Sequence, residues 1–138
     1  MTDALVAQTV AELKIRNVIA RIALLADQGG LDEYVDQFTE DALWAFPNGP
    51  RQGREDIRAG AEERRAGGVT GPGSATRHVI TTVSVQLEGE DAATADSYFL
   101  FYQQTATAPT LFNMGHYHDT FARQGDVWRL ARRDITLG

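Results

Sequence analysis

The sequence predicts an α+β fold, with helices packed on one face of a curved antiparallel sheet. Helical periodicity is confined to residues 4–66, and strand-like alternation fills the chain from residue 77 onward. In addition, the stretch 92–105 carries aromatics on both parities, Tyr98 and Tyr102 against Phe99 and Phe101. A strand that is apolar on both sides is covered on both. Helices supply one cover, and a second subunit is the natural other.

Each element has a local cause. Val6, Val10, Leu13, Ile15, Val18, Ile19, Ile22, Leu25 and Ala26 recur at helical spacing, which predicts a helix over 4–26 with Asp3 as N-cap. Gly29-Gly30 stops it, as left-handed backbone suits glycine. Its last turns, 22–26, are apolar nearly all round and should be buried. A short helix over 31–38 sets Tyr34, Val35 and Phe38 against Asp32, Glu33 and Asp36. Residues 42–46 read as a strand that ends at Pro47-Asn48-Gly49-Pro50. Gly53 precedes a surface helix over 54–66, whose few apolar positions are Ile57 and Ala61. Residues 67–74 hold four glycines and a proline and read as a loop, either a connector or a lid. Strands follow over 77–88, 92–105, 111–123 and 127–133, with turns at 88–91, 107–109 and 124–126. The whole of 1–138 reads as a single domain.

The bulk properties exclude several functions. The 138 residues carry a formal charge of −6 and 43% hydrophobic residues, which disfavours nucleic acid and anionic membrane as partners. With no cysteine, neither disulfides nor thiolate chemistry is available. The opening residues do not read as a signal peptide, and no apolar run reaches the ~20 residues of a membrane span. These features are compatible with a cytoplasmic protein.

Two titratable residues stand out. Asp27 follows an apolar helix end, where the helix dipole disfavours a carboxylate by roughly 0.3–1 kcal/mol. His78 opens a strand after Ser74-Ala75-Thr76-Arg77. Histidine is the natural general base near neutral pH, and a buried acid would fix its tautomer. There is no Gly-x-Ser-x-Gly elbow, so such a pair would move protons rather than acyl groups. Trp44 and Phe46 share a parity and could line an apolar pocket, as could Tyr34. His116 and His118 lie on one side of their strand, and a role in the pocket or an interface suits them better than metal binding. Arg132 or Arg133 could orient an anionic or carbonyl oxygen.

Taken together, the pattern resembles the SnoaL-like proteins of the nuclear-transport-factor-2-like superfamily, which include scytalone dehydratase. The likeness runs through Ala26-Asp27, the segment 34–42, Trp44, Gly53-Arg54-Glu55-Asp56-Ile57, Thr76-Arg77-His78, the segment 115–119 and the segment 128–133. It implies a cone-shaped, cystatin-like α+β barrel with helices over the concave face of the sheet. It also implies an apolar pocket and a homodimer or larger homo-oligomer formed through the sheet. Asp27 and His78 match the positions of the catalytic pair in dehydratase-like members. The departures are Ile22, where some members carry a polar residue, and Thr82, where Asn is common. The resemblance implies a cofactor-independent lyase or isomerase that acts on a small hydrophobic molecule, polycyclic ones included, without metal or organic cofactor. Tyr98, Tyr102, His116 or Arg133 would supply the extra polar contact. Two other functions fit the same fold: a non-catalytic binding or oxygenase β-type accessory subunit, and a polyketide cyclase working by aldol closure.

Overall fold

The computed structural model describes residues 2–138. Helix α1 (Asp3–Gln28) is capped by Thr2, whose hydroxyl accepts the Leu5 N–H, and not by Asp3, which forms the first turn. The helix buries Ile15, Val18, Ile19, Ile22 and Leu25. Its first turns do not join the core: Leu5, Val6, Val10 and Leu13 are all exposed, and a space separates this part of the helix from Leu87 and Trp128 of the sheet. Leu24 near the other end is also exposed, since a helix lying on a sheet buries only one stripe. Gly29 ends the helix in extended backbone rather than left-handed (φ −97°). Its lack of a side chain is needed for another reason: a Cβ there would sit 2.9 Å from the Leu25 Cα.

Helix α2 (Leu31–Asp36) is shorter than its periodicity suggests, because Phe38 has already entered strand β1 (Phe38–Ala45). A two-residue strand β2 (Arg51–Gln52) pairs with β1. Helix α3 (Arg54–Ala66) buries Ile57 and Ala61, as its pattern predicts. Arg54 ties it down by donating through Nε and Nη2 to the Phe38 carbonyl, at 2.9 and 2.7 Å.

The remaining strands are β3 (Arg77–Leu87), β4 (Ala92–Gln103), β5 (Thr110–Gln124) and β6 (Val127–Leu137). They form the expected antiparallel meander. β6 runs four residues past its charged Arg132-Arg133 pair because Ile135 returns to the core. The sheet is not purely antiparallel, however. β1 lies parallel to β6, and the strand order is β2-β1-β6-β5-β4-β3. It is also an open sheet with free edges at β2 and β3, so the barrel does not close. Four pairings carry register shifts, including one in β3 where Thr82 adopts φ 54°. Such irregularities bend strands, and the sheet curves around α1, which packs on β3 and β6. No helix among the described residues is long and apolar enough to cross a membrane.

Candidate active site

Curvature brings the end of α1 against the start of β3. Asp27 is 3% exposed. Its Oδ1 lies 2.7 Å from Nδ1 of His78, and its Oδ2 accepts the His78 backbone N–H at 3.0 Å. One carboxylate therefore holds both the ring and the peptide of the histidine. With Nδ1 bound to the acid, Nε2 is the nitrogen left for chemistry. The ring also packs on Phe101, with centroids 4.8 Å apart.

The C-terminal end of α1 would be a poor place for a carboxylate if its carbonyls were unsatisfied. Arg65 answers this from the last turn of α3. Its Nη2 donates to the carbonyls of Leu25 and Gly29 at 2.9 and 2.8 Å. A cation thus sits where the helix dipole is negative, next to the aspartate.

His78 opens onto a small cavity of about 50 Å³, whose lining includes Tyr34, Trp44, Arg64, Thr70, Tyr117 and Arg133. That is room for roughly four water molecules, a tighter space than a polycyclic skeleton calls for. Thr70 comes from the 67–74 loop, so the loop contributes to the cavity wall. Gly68, Gly71 and Gly73 all take left-handed backbone there, which explains its composition.

Arg133 is fully engaged on one side. Its Nε and Nη2 donate to the two oxygens of Asp119 at 2.8 and 2.9 Å, and neither residue is more than 4% exposed. Burial works against its charge, but the Asp119 carboxylate outweighs that and holds the guanidinium more firmly protonated than usual. The guanidinium lies 3.8 Å from the centre of the Tyr117 ring. Burial raises the Tyr117 phenol well above its ordinary range. It is therefore a hydrogen-bond donor at neutral pH and not a base.

Of the sequence candidates, five meet here: Asp27, His78, Tyr34, Trp44 and Arg133; Arg132 instead pairs with Asp134 outside the cavity. Phe46 does not line the cavity but stacks on Trp44, with centroids 5.7 Å apart. Tyr98, Tyr102 and His116 are absent from the wall, and reading them as substrate contacts is corrected by strand alternation. On β4 it is Ala93, Ala95, Ser97, Phe99 and Phe101 that are buried, which leaves Tyr98 49% exposed on the outer face. There Tyr98 meets His116 edge-on at 5.9 Å. His116 and His118 each hydrogen-bond Oδ1 of Asp96 at 2.8 Å. The bond from His118, followed by that from His116, holds the Asp96 carboxyl below its usual range. Tyr117 and Arg64 escaped the sequence reading. For Tyr117 a signal existed, since it shares a parity with Asp119 and Phe121 opposite the two histidines. Among the described residues no group of three or more His, Asp or Glu side chains is arranged to hold a metal ion.

A second and larger space, about 560 Å³, lies under the first half of α1 between Val10, Lys14, Leu87 and Trp128. Its cations are engaged: Lys14 donates to the Asp126 carbonyl and Arg123 to Asp91.

The site is an acid-held imidazole at the rim of a hollow between helices and a curved sheet. The chain matches the SnoaL-like domain over residues 7–134 and belongs to that family. No curated protein matches it significantly. It is similar to a nuclear-transport-factor-2-like protein of cystatin-like fold from Novosphingobium aromaticivorans, with TM-score 0.85, 26% identity, and 97% of this chain and 86% of that one covered. It is similar also to an Asp-to-Asn variant of Rv3472, a protein of unknown function from Mycobacterium tuberculosis, with TM-score 0.81, 27% identity, and 95% and 73% covered. The same fold occurs in a protein provisionally named scytalone dehydratase from Novosphingobium aromaticivorans, with TM-score 0.76, 18% identity, and 96% and 87% covered.

Proposed function

We propose that this chain is a cofactor-independent lyase or isomerase of dehydratase type, acting on a small, largely hydrophobic carbonyl or hydroxy compound. The observation that carries the reading is the 2.7 Å contact between buried Asp27 and the ring of His78. With the acid ionised, Nδ1 holds the proton and Nε2 presents a lone pair to the cavity. Nε2 takes a proton from the carbon next to a carbonyl, and the C–H electrons move into an enolate. Asp27 stabilises the imidazolium so formed. The Tyr117 hydroxyl, kept protonated by burial, and that of Tyr34 are the donors available to the enolate oxygen. The imidazolium then returns the proton. Delivery to another carbon shifts a double bond. Delivery to a β-hydroxyl expels water as the C–O bond breaks and the C=C bond forms. The same shuttle serves both outcomes.

We also infer that the working form is a homodimer or larger homo-oligomer built on the outer face of the sheet. Val79, Tyr98 and Met114 are each more than 40% exposed there, an apolar patch beside the Asp96–His116–His118 cluster that favours a second copy.

The test is exchange of α-protons from a panel of small enolisable ketones in D2O, followed by NMR. Wild type accelerates exchange in at least one of them. His78→Ala lowers that rate a hundredfold or more, in line with general-base losses, and Asp27→Asn also lowers it. Exchange at the wild-type rate in His78→Ala overturns the reading.

A further inference from the structure

Helix α3 carries four arginines, and three have protein partners. Arg54 donates to the Phe38 carbonyl, Arg58 to Asp32, and Arg65 to the end of α1. The Arg64 side chain has no hydrogen bond or ion pair among the described residues, although the residue's backbone carbonyl accepts the Val69 N–H. The sequence itself denies it one within the helix. Partners at three and four residues are the ones a helical arginine can reach, and those positions hold Gly60, Ala61, Gly67 and Gly68. Instead its guanidinium lies over the Trp44 ring, 4.9 Å from the centroid, and lines the same cavity as His78. Trp44 is in turn stacked on Phe46. The aromatic pair therefore props a half-buried cation at the cavity wall with its N–H groups unclaimed.

The charge around the cavity points the same way. Arg133 is neutralised by Asp119, and Arg65 is spent on the carbonyls at the end of α1. Arg64 remains as a positive charge whose side chain has neither a carboxylate nor a carbonyl partner among the described residues, in a chain whose formal charge is −6. A cation that served only solubility would not need a cavity and an aromatic shelf.

We propose that Arg64 is a binding residue for a carboxylate, so that the molecule this pocket takes is a small organic acid. Its carboxylate meets Arg64 near the 67–74 loop, and the rest of the molecule points inward to Nε2 of His78. A planar guanidinium presents paired N–H donors that fit a carboxylate in two-point fashion. The proposal refines the reading of the pocket as an enzyme site and rests on it for the statement that the acid is a substrate.

Propanoate and its neutral twin propanamide, small enough for the cavity, supply the test, with dissociation constants read from NMR titrations. Wild type binds propanoate at least tenfold more tightly than the amide, and the preference shrinks with added salt. Arg64→Gln brings the two within twofold, and Arg64→Lys retains part of the preference. A thermal melt of Arg64→Gln stays near that of wild type, since the side chain holds no other element. His78→Asn keeps the preference for the acid. Equal binding of acid and amide by wild type, no binding of propanoate, or a preference that survives in Arg64→Gln overturns the proposal. Selective binding of the acid with no loss of exchange in His78→Ala would instead overturn the enzyme reading alone and leave an organic-acid binding pocket.

Discussion

Asp27 reaches two groups of one residue, the ring nitrogen and the backbone N–H of His78. This pair was legible in the sequence because Asp27 broke a local rule, an acid at the negative end of an apolar helix, and because the SnoaL-like resemblance matched His78 to it. The rest of the wall was not legible at this scale. Alternation separates Tyr98 and His116 from Phe99 and Tyr117, but it does not say which set faces inward. That is decided by where the helices lie. The Arg133–Asp119 pair shows what a buried charge demands. Arg133→Ala should destabilise the protein by about 3–5 kcal/mol, because Asp119 is left buried and unpaired. Urea denaturation measures this, and the double variant Arg133→Met with Asp119→Leu should recover most of the loss.

At the scale of elements, the helices and the four-strand meander follow from periodicity and turn residues. The missed features are those whose cause lies elsewhere in the chain. β1 begins at Phe38 because that residue pairs with Leu130, more than ninety positions away. β2 is two residues long and exists only as a partner of β1. The β5–β6 ladder also contains a close approach that composition does not reveal. A Cβ on Gly115 would lie 2.3 Å from the Thr136 carbonyl oxygen and 2.6 Å from the Phe99 ring. Phe99 stacks on Tyr117 at 4.5 Å, so the clash would be passed to the cavity wall. Gly115→Ala should therefore cost about 1–3 kcal/mol by overpacking, read from its urea midpoint, and should lower exchange activity with it.

The molecule as a whole divides its sheet between two uses. The concave face holds α1 and the cavity, and the outer face leaves apolar side chains in water. The aromatic parity of β4 announced this division in the sequence, whereas the open, partly parallel character of the sheet was hidden in the pairing of β1 with β6. If the outer face joins two copies, sedimentation should give about twice the monomer mass of 15.1 kDa. Met114→Glu, which puts a charge at the centre of that face, should return the monomer with the helices intact by circular dichroism.

The central claim is that buried Asp27 fixes the tautomer of His78 and leaves Nε2 as a base facing the cavity. Nitrogen-15 NMR of the His78 ring above neutral pH measures this directly. A protonated Nδ1 and an unprotonated Nε2, with that separation diminished in Asp27→Asn, is the result this account predicts. Two ring nitrogens with the averaged shifts of a freely solvated imidazole, unchanged in Asp27→Asn, would contradict it.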